Sequence, residues 1–122
     1  MRGGDRTLLG RWGEARVADW LRGRGYRVVD ANWRCRFGEI DLISTNEKYI
    51  CFTEVKLRKN ADFAAAREFV DHRKQDKVRA AASLYLSWKP THLQPRFDVA
   101  EVYAPEGTDT KRPEIHYIEN AF

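Results

Sequence analysis

The chain has 122 residues, 33% of them charged and 43% hydrophobic, with a formal net charge of +4. That length suits one domain with a core of its own and argues against two. No run approaches the roughly 20 apolar residues of a membrane span, and the opening MRGGDRTLLG has no apolar signal core. The modest positive excess is compatible with a nucleic-acid partner without requiring one.

Residues 1–7 are rich in Gly and Arg and read as a mobile N-terminus, so the single domain is expected over 8–122. Leu8 to Arg24 is patterned as a helix that Gly23 and Gly25 terminate. Tyr26 to Asp30 is a short β-prone run. Phe37 to Ser44 and Tyr49 to Lys56 are strands rich in Ile, Val, Phe and Tyr, joined as a hairpin by Thr45, Asn46, Glu47 and Lys48. A loop is expected at Lys59, Asn60 and Asp62, with helical potential over Ala64 to Val70. Asp71 then caps a firmer helix to about Trp88 whose inner stripe is Val78, Ala81, Ala82 and Tyr85. Arg96 to Tyr103 is a further strand, and Ile115 to Ile118 a last edge strand. The order α, β, β, β, α, β is that of an α/β domain, a mixed β-sheet flanked by helices, in which the second helix crosses over between parallel strands.

Cys35 and Cys51 form no CxxC pair and lie far in sequence from His72, His92 and His116, which argues against zinc. Two unclustered thiols suit a reducing, cytoplasmic setting.

The hairpin carries the chemistry. GEIDLI at 38–43 and FTEVK at 52–56 both set acids inside apolar runs. With the turn centred between Asn46 and Glu47, Asp41 faces Phe52 and Glu39 faces Glu54, and Asp41, Glu54 and Lys56 share one face. Asp41 and Glu54 are then diagonal neighbours about 7–8 Å apart. The grouping depends on parity, because a loop longer by one residue would split it across two faces. Two converging carboxylates repel, and a divalent cation such as Mg2+ removes the conflict. Such an ion polarises a phosphate and lowers the pKa of a bound water. Lys56 beside it would stabilise developing negative charge. The plainer alternative is a hairpin with one solvated face, on which Glu54 and Lys56 form an ordinary ion pair.

Glu14 precedes Val17, Ala18 and Leu21 by three, four and seven residues and so lies on the apolar face of its helix. It is either an acid aimed at a partner in the core or a half-exposed residue near the helix start, where the macrodipole favours it.

These segments resemble the YraN-like family of uncharacterised bacterial proteins, which is placed among PD-(D/E)XK nuclease-like folds. The resemblance runs from GRWGEARVADWL at 10–21, through GEIDLI and EVK, to RFDVAEV at 96–102 and the IENAF ending. It implies a restriction-endonuclease-like αβββαβ core, akin to that of Holliday-junction resolvases. It also implies a Mg2+- or Mn2+-dependent endonuclease in which Glu14, Asp41 and Glu54 hold the metal and Lys56 assists. The family often has Phe-Gly after the E-x-K strand, where this chain has Phe63-Ala64.

Arg34, Arg36, Arg58, Lys59, Arg67, Arg73, Lys74 and Lys77 are candidate phosphate contacts. Lys74 and Gln75 resemble a Lys-Gln pair at the start of this helix in related sequences. No base-reading motif is evident, which points to recognition of DNA shape rather than base sequence. Trp12, Trp20, Trp33 and Trp88 read as packing residues. A homodimer is plausible, since paired strand cuts need two such sites. The alternatives are a nucleic-acid-binding module without turnover and a protein-interaction domain.

Overall fold

The computed structural model describes residues 3–59 and 71–122, with side chains from Leu8 onward. The elements are α1 (Gly3–Gly23), β1 (Arg27–Cys35), β2 (Gly38–Thr45), β3 (Tyr49–Arg58), α2 (His72–Trp88), β4 (Gln94–Tyr103), a 3-10 turn (Gly107–Asp109) and β5 (Glu114–Ile118). The five strands form one sheet in the order β1-β2-β3-β4-β5. β1/β2, β2/β3 and β4/β5 are antiparallel and β3/β4 is parallel. The expected mixed sheet is therefore present. The parallel pair is joined through α2, as a crossover requires.

Both helices start and stop for local reasons. The Asp71 side chain accepts a hydrogen bond from the Lys74 amide at 2.9 Å, which caps α2. Val78, Ala81, Ala82 and Tyr85 are its buried stripe, as their spacing predicts. α1 ends where Gly25 takes φ +89, so that Tyr26 N donates to Leu21 O and Gly25 N to Arg22 O. Its start is earlier than expected, at Gly3 rather than Leu8. Once a helix is nucleated, each added residue brings a hydrogen bond, which offsets the poor propensity of glycine.

The sheet is covered on both faces. Ile40, Ile43, Ile50 and Phe52 pack with Ala81, Ala82 and Tyr85 of α2. Leu42, Ala100 and Val102 pack with Val17, Ala18 and Leu21 of α1. Gly13 lets α1 settle close to β3, since a Cβ there would stand 2.5 Å from Leu57 Cδ2. Trp12, Trp20 and Trp33 pack against these clusters. Trp88 does not: it is 70% exposed and meets Trp33 edge-on, because it lies in the last turn of α2 beyond the buried stripe.

Two further sequence expectations are revised. β1 runs on to Cys35 instead of stopping at Asp30, held by pairs such as Trp33↔Ile40. The β2–β3 register is shifted by two residues: Ile43 faces Phe52, and the turn centres between Glu47 and Lys48. Asn46 is the cause, for its side chain accepts from the amides of Lys48 and Tyr49 and closes the turn one residue later. A shift of two preserves parity, but the expected shared face of Asp41 and Phe52 does not follow from it, because β2 breaks alternation between Ile40 and Ile43, which both pack against α2. The Phe63-Ala64 pair, Arg67 and the expected helix over Ala64 to Val70 lie outside the described residues.

β4 is anchored by a buried ion pair. Asp98 is fully buried and accepts from Arg96, from the Tyr117 hydroxyl at 2.6 Å and from the Asn120 amide at 2.9 Å. Arg96 also donates to the Tyr26 hydroxyl at 2.8 Å and lies over the Tyr49 ring. The pair ties β4 to β5, to the C-terminal segment and to Tyr26.

Candidate active site

Past Leu42↔Thr53 the β2–β3 ladder stops, although both strands continue. Continued by one step, the register sets Asp41 opposite Glu54. There the Val55 amide donates to Asp41 Oδ2 at 2.8 Å. A side-chain oxygen has replaced a main-chain acceptor, which satisfies the buried amide while β2 and β3 diverge. Asp41 thus sits at the base of a fork in the sheet.

Glu54 is held on the β3 arm of that fork, 4% exposed. Its Oε1 lies 3.4 Å from Lys74 Nζ in the first turn of α2. Glu14 enters from α1. With Gly10, Arg11, Asn32, Arg34, Glu39 and Asp41 it lines a pocket of about 170 Å³. Asp41 thus neighbours each of the other two acids, Glu14 at the pocket and Glu54 at the fork. Lys56 lies two residues beyond Glu54 on β3, close enough to stabilise the charged forms of both Asp41 and Glu54.

The acids feel one another. Burial pushes Glu54 up to about 7, Asp41 adds repulsion, and Lys74 and Lys56 oppose the rise. Burial likewise pushes Glu14 up to about 7, with Asp41 adding to it and a hydrogen bond from Asn32 opposing it. Asp41 is raised by its own burial against the pull of the Val55 amide. Three carboxyl groups held above their ordinary range by shared burial are costly to the fold and typical of a working site. Among the described residues, no three His, Cys, Asp or Glu side chains form a ready-made ion cage. An ion here would need one or two carboxylates completed by water and phosphate, the usual coordination of Mg2+.

The cost is measurable. Raised carboxyl pKa values mean that the folded chain takes up protons. The favourable contribution is whole below about pH 4.5 and is lost as pH rises through about 7. Glu54→Gln is therefore expected to stabilise the protein by roughly 1–3 kcal/mol at pH 8 and to leave it unchanged at pH 4. Urea melts at the two pH values decide this; equal midpoints at pH 8 would refute it.

The other predicted contacts divide. Arg34 lines the acidic pocket and lies 3.7 Å from Glu39. Arg73 and Lys77 are exposed on the first turns of α2, and Gln75 is half-buried beside them. Lys74 turns out to be the cation of the Glu54 pair. Arg36 lies over the Phe37 ring at the β1–β2 turn. Arg58 and Lys59 line a different pocket, with Leu9, Leu57 and Ala104 to Gly107, and Arg58 pairs with Glu101. They do not join the acids because β3 has run past the fork by that point. Arg11, Asn32 and Glu39 were missed as pocket residues. Arg11 precedes Glu14 by three on the same helix, a spacing that gave a usable signal.

Residues 13–102 match the uncharacterised protein family UPF0102. A UPF0102 protein of Acetivibrio thermocellus is 42% identical over 121 residues, covering 97% of this chain and 93% of that one. The chain belongs to the family UPF0102. UPF0102 proteins of Caldanaerobacter subterraneus and Nocardia farcinica are each 38% identical over 120 residues, covering 97% and 98% of this chain and 97% and 92% of theirs. The resemblance to YraN-like proteins is thereby established. The UPF0102 match spans α1 from Gly13, the β2–β3 fork and most of β4, so all four predicted catalytic residues fall inside it. No helix among the described residues is long and apolar enough to cross a membrane.

Proposed function

We propose that this UPF0102 chain is a metal-dependent phosphodiester hydrolase acting on nucleic acid, with structured DNA as the favoured substrate. The reading is supported by one observation above the rest: Asp41, at the sheet fork, repels both Glu14 and Glu54, and burial raises all three carboxyl groups. The donor set fits Mg2+ or Mn2+, being all hard oxygen, and its repulsion is the kind a divalent cation cancels. Asp41 and Glu54 would hold the ion, with Glu14 completing the acidic wall. Bound there, the ion supplies Lewis acidity and charge neutralisation.

The chain's own residues do the rest. Lys56 offers a positive charge to the phosphate as it gains negative charge. Lys74 neutralises Glu54 before substrate arrives. Arg34, Arg36, Arg73 and Lys77 are exposed cations for flanking phosphates, and Gln75 is a polar contact beside them. Arg58 and Lys59 would contact only a strand that extends past the fork. The Lys74–Glu54 ion pair favours a second reading, a nucleic-acid-binding module whose acid is permanently neutralised and which does not turn over.

Incubating the protein with branched DNA, single-stranded DNA and RNA, with Mg2+, Mn2+ or a chelator, tests the first reading. Metal-dependent cleavage that disappears in Glu54→Gln is the expected result. Binding without cleavage in every metal would favour the second.

A further inference from the structure

Side chains on a regular strand alternate between faces, and β1 and β2 break that rule at the same place. On β2, Ile40 and Ile43 are three apart, yet both pack into the α2 cluster, while Leu42 between them packs against α1. On β1, Asp30 and Trp33 are also three apart, and both face α2. Asp30 accepts from the Tyr85 hydroxyl at 2.7 Å, and Trp33 meets the Tyr85 ring edge-on. The pairs Ala31↔Leu42 and Trp33↔Ile40 bracket Asn32 and Asp41, so the two breaks lie across from each other.

Asn32 is where the backbone produces the break. Its φ is +52, in the left-handed region that asparagine tolerates better than other residues with a side chain. One left-handed residue rotates the strand beyond it by about one side-chain position, as in a bulge. The carboxamide of Asn32 thereby reaches the α1 side, where it lines the acidic pocket with Glu14 and Asp41 and favours the charged form of Glu14.

We infer that Asn32 is a positioning residue of the candidate site, setting Glu14 and Asp41 against each other through its left-handed backbone and its carboxamide. The two parts can be separated. Asn32→Gly keeps easy access to positive φ and removes the carboxamide. Asn32→Ala removes the carboxamide and disfavours the backbone as well.

The contact itself is read by nuclear Overhauser effects between the Asn32 side-chain amide protons and the Glu14 methylene protons. They are expected in the wild type, and their absence would overturn the inference whether or not the protein cuts nucleic acid. The consequence for turnover rests on the hydrolase reading above. Asn32→Gly should melt within a few degrees of wild type, keep KM for a DNA substrate, lower kcat about 10–100-fold and weaken Mn2+ binding by a similar factor. Asn32→Ala should show the same losses with a lower melting temperature. Wild-type kcat and Mn2+ affinity in Asn32→Gly would overturn the inference. A wild-type protein that shows the Overhauser effects but neither binds Mn2+ nor cleaves would leave the positioning role standing and sink the hydrolase reading instead.

Discussion

Under the proposed hydrolase function, Asp41→Asn is expected to lower phosphodiester cleavage by at least about a thousandfold while leaving the fold intact. The amide oxygen of asparagine can still accept from the Val55 N–H, so the fork between β2 and β3 keeps its closure. What disappears is the negative charge that most repels Glu14 and Glu54. A bound cation is worth several kcal/mol of transition-state stabilisation, and each 1.36 kcal/mol is tenfold in rate. Folding should improve slightly, because one member of a repelling group is gone. Single-turnover cleavage assays in Mn2+, paired with thermal melts, separate the two effects. Wild-type rates in this variant would exclude Asp41 from the chemistry.

Asp98→Ala is expected to cost about 3–5 kcal/mol of stability, the loss typical when one partner of a buried ion pair is removed. The change strips Arg96 of three contacts to one carboxylate, leaves the Tyr117 hydroxyl with Thr53 as its remaining partner and orphans the Asn120 amide. Against a total stability of roughly 5–15 kcal/mol, that leaves a marginal protein. The penalty comes from the buried guanidinium, left with only the exposed Glu119 carboxylate at 3.6 Å, rather than from the value of the pair. Adding Arg96→Met should therefore restore part of the loss. Equilibrium urea denaturation of the single and double variants tests both statements. A loss below about 1 kcal/mol in Asp98→Ala would show that water or another carboxylate replaces Asp98.

Much of this was legible in the sequence, for reasons that differ by element. The second helix could be read from Asp71 to Trp88 because its cap and its apolar stripe are local signals, and both hold. Asp41 and Glu54 could be placed near each other because the two-residue slip at Asn46 left parity unchanged and sets them opposite one another. What resisted reading is non-local or irregular. Nothing in residues 71–77 announces that Lys74 will reach back to Glu54, since the two meet only after the crossover is made. Lys59 looked close to the E-x-K strand in sequence, but the strand carries it away from the acids. The phase change at Asn32 escapes any argument from alternation, because alternation assumes the regular backbone that a left-handed residue abolishes. The exposure of Trp88 is a smaller case of the same kind: its place beyond the last buried turn decides it, not its composition.

For the ion proposed here, the hydrogen bond from Val55 to Asp41 Oδ2 bears on selectivity. One oxygen of that carboxylate is already engaged by the protein's own main chain. Wrapping both oxygens around a single ion would mean competing with that amide. Calcium, with six to eight ligands and a liking for bidentate carboxylates, is poorly served by such an arrangement. A smaller ion that accepts one oxygen per carboxylate and keeps its waters loses nothing by it.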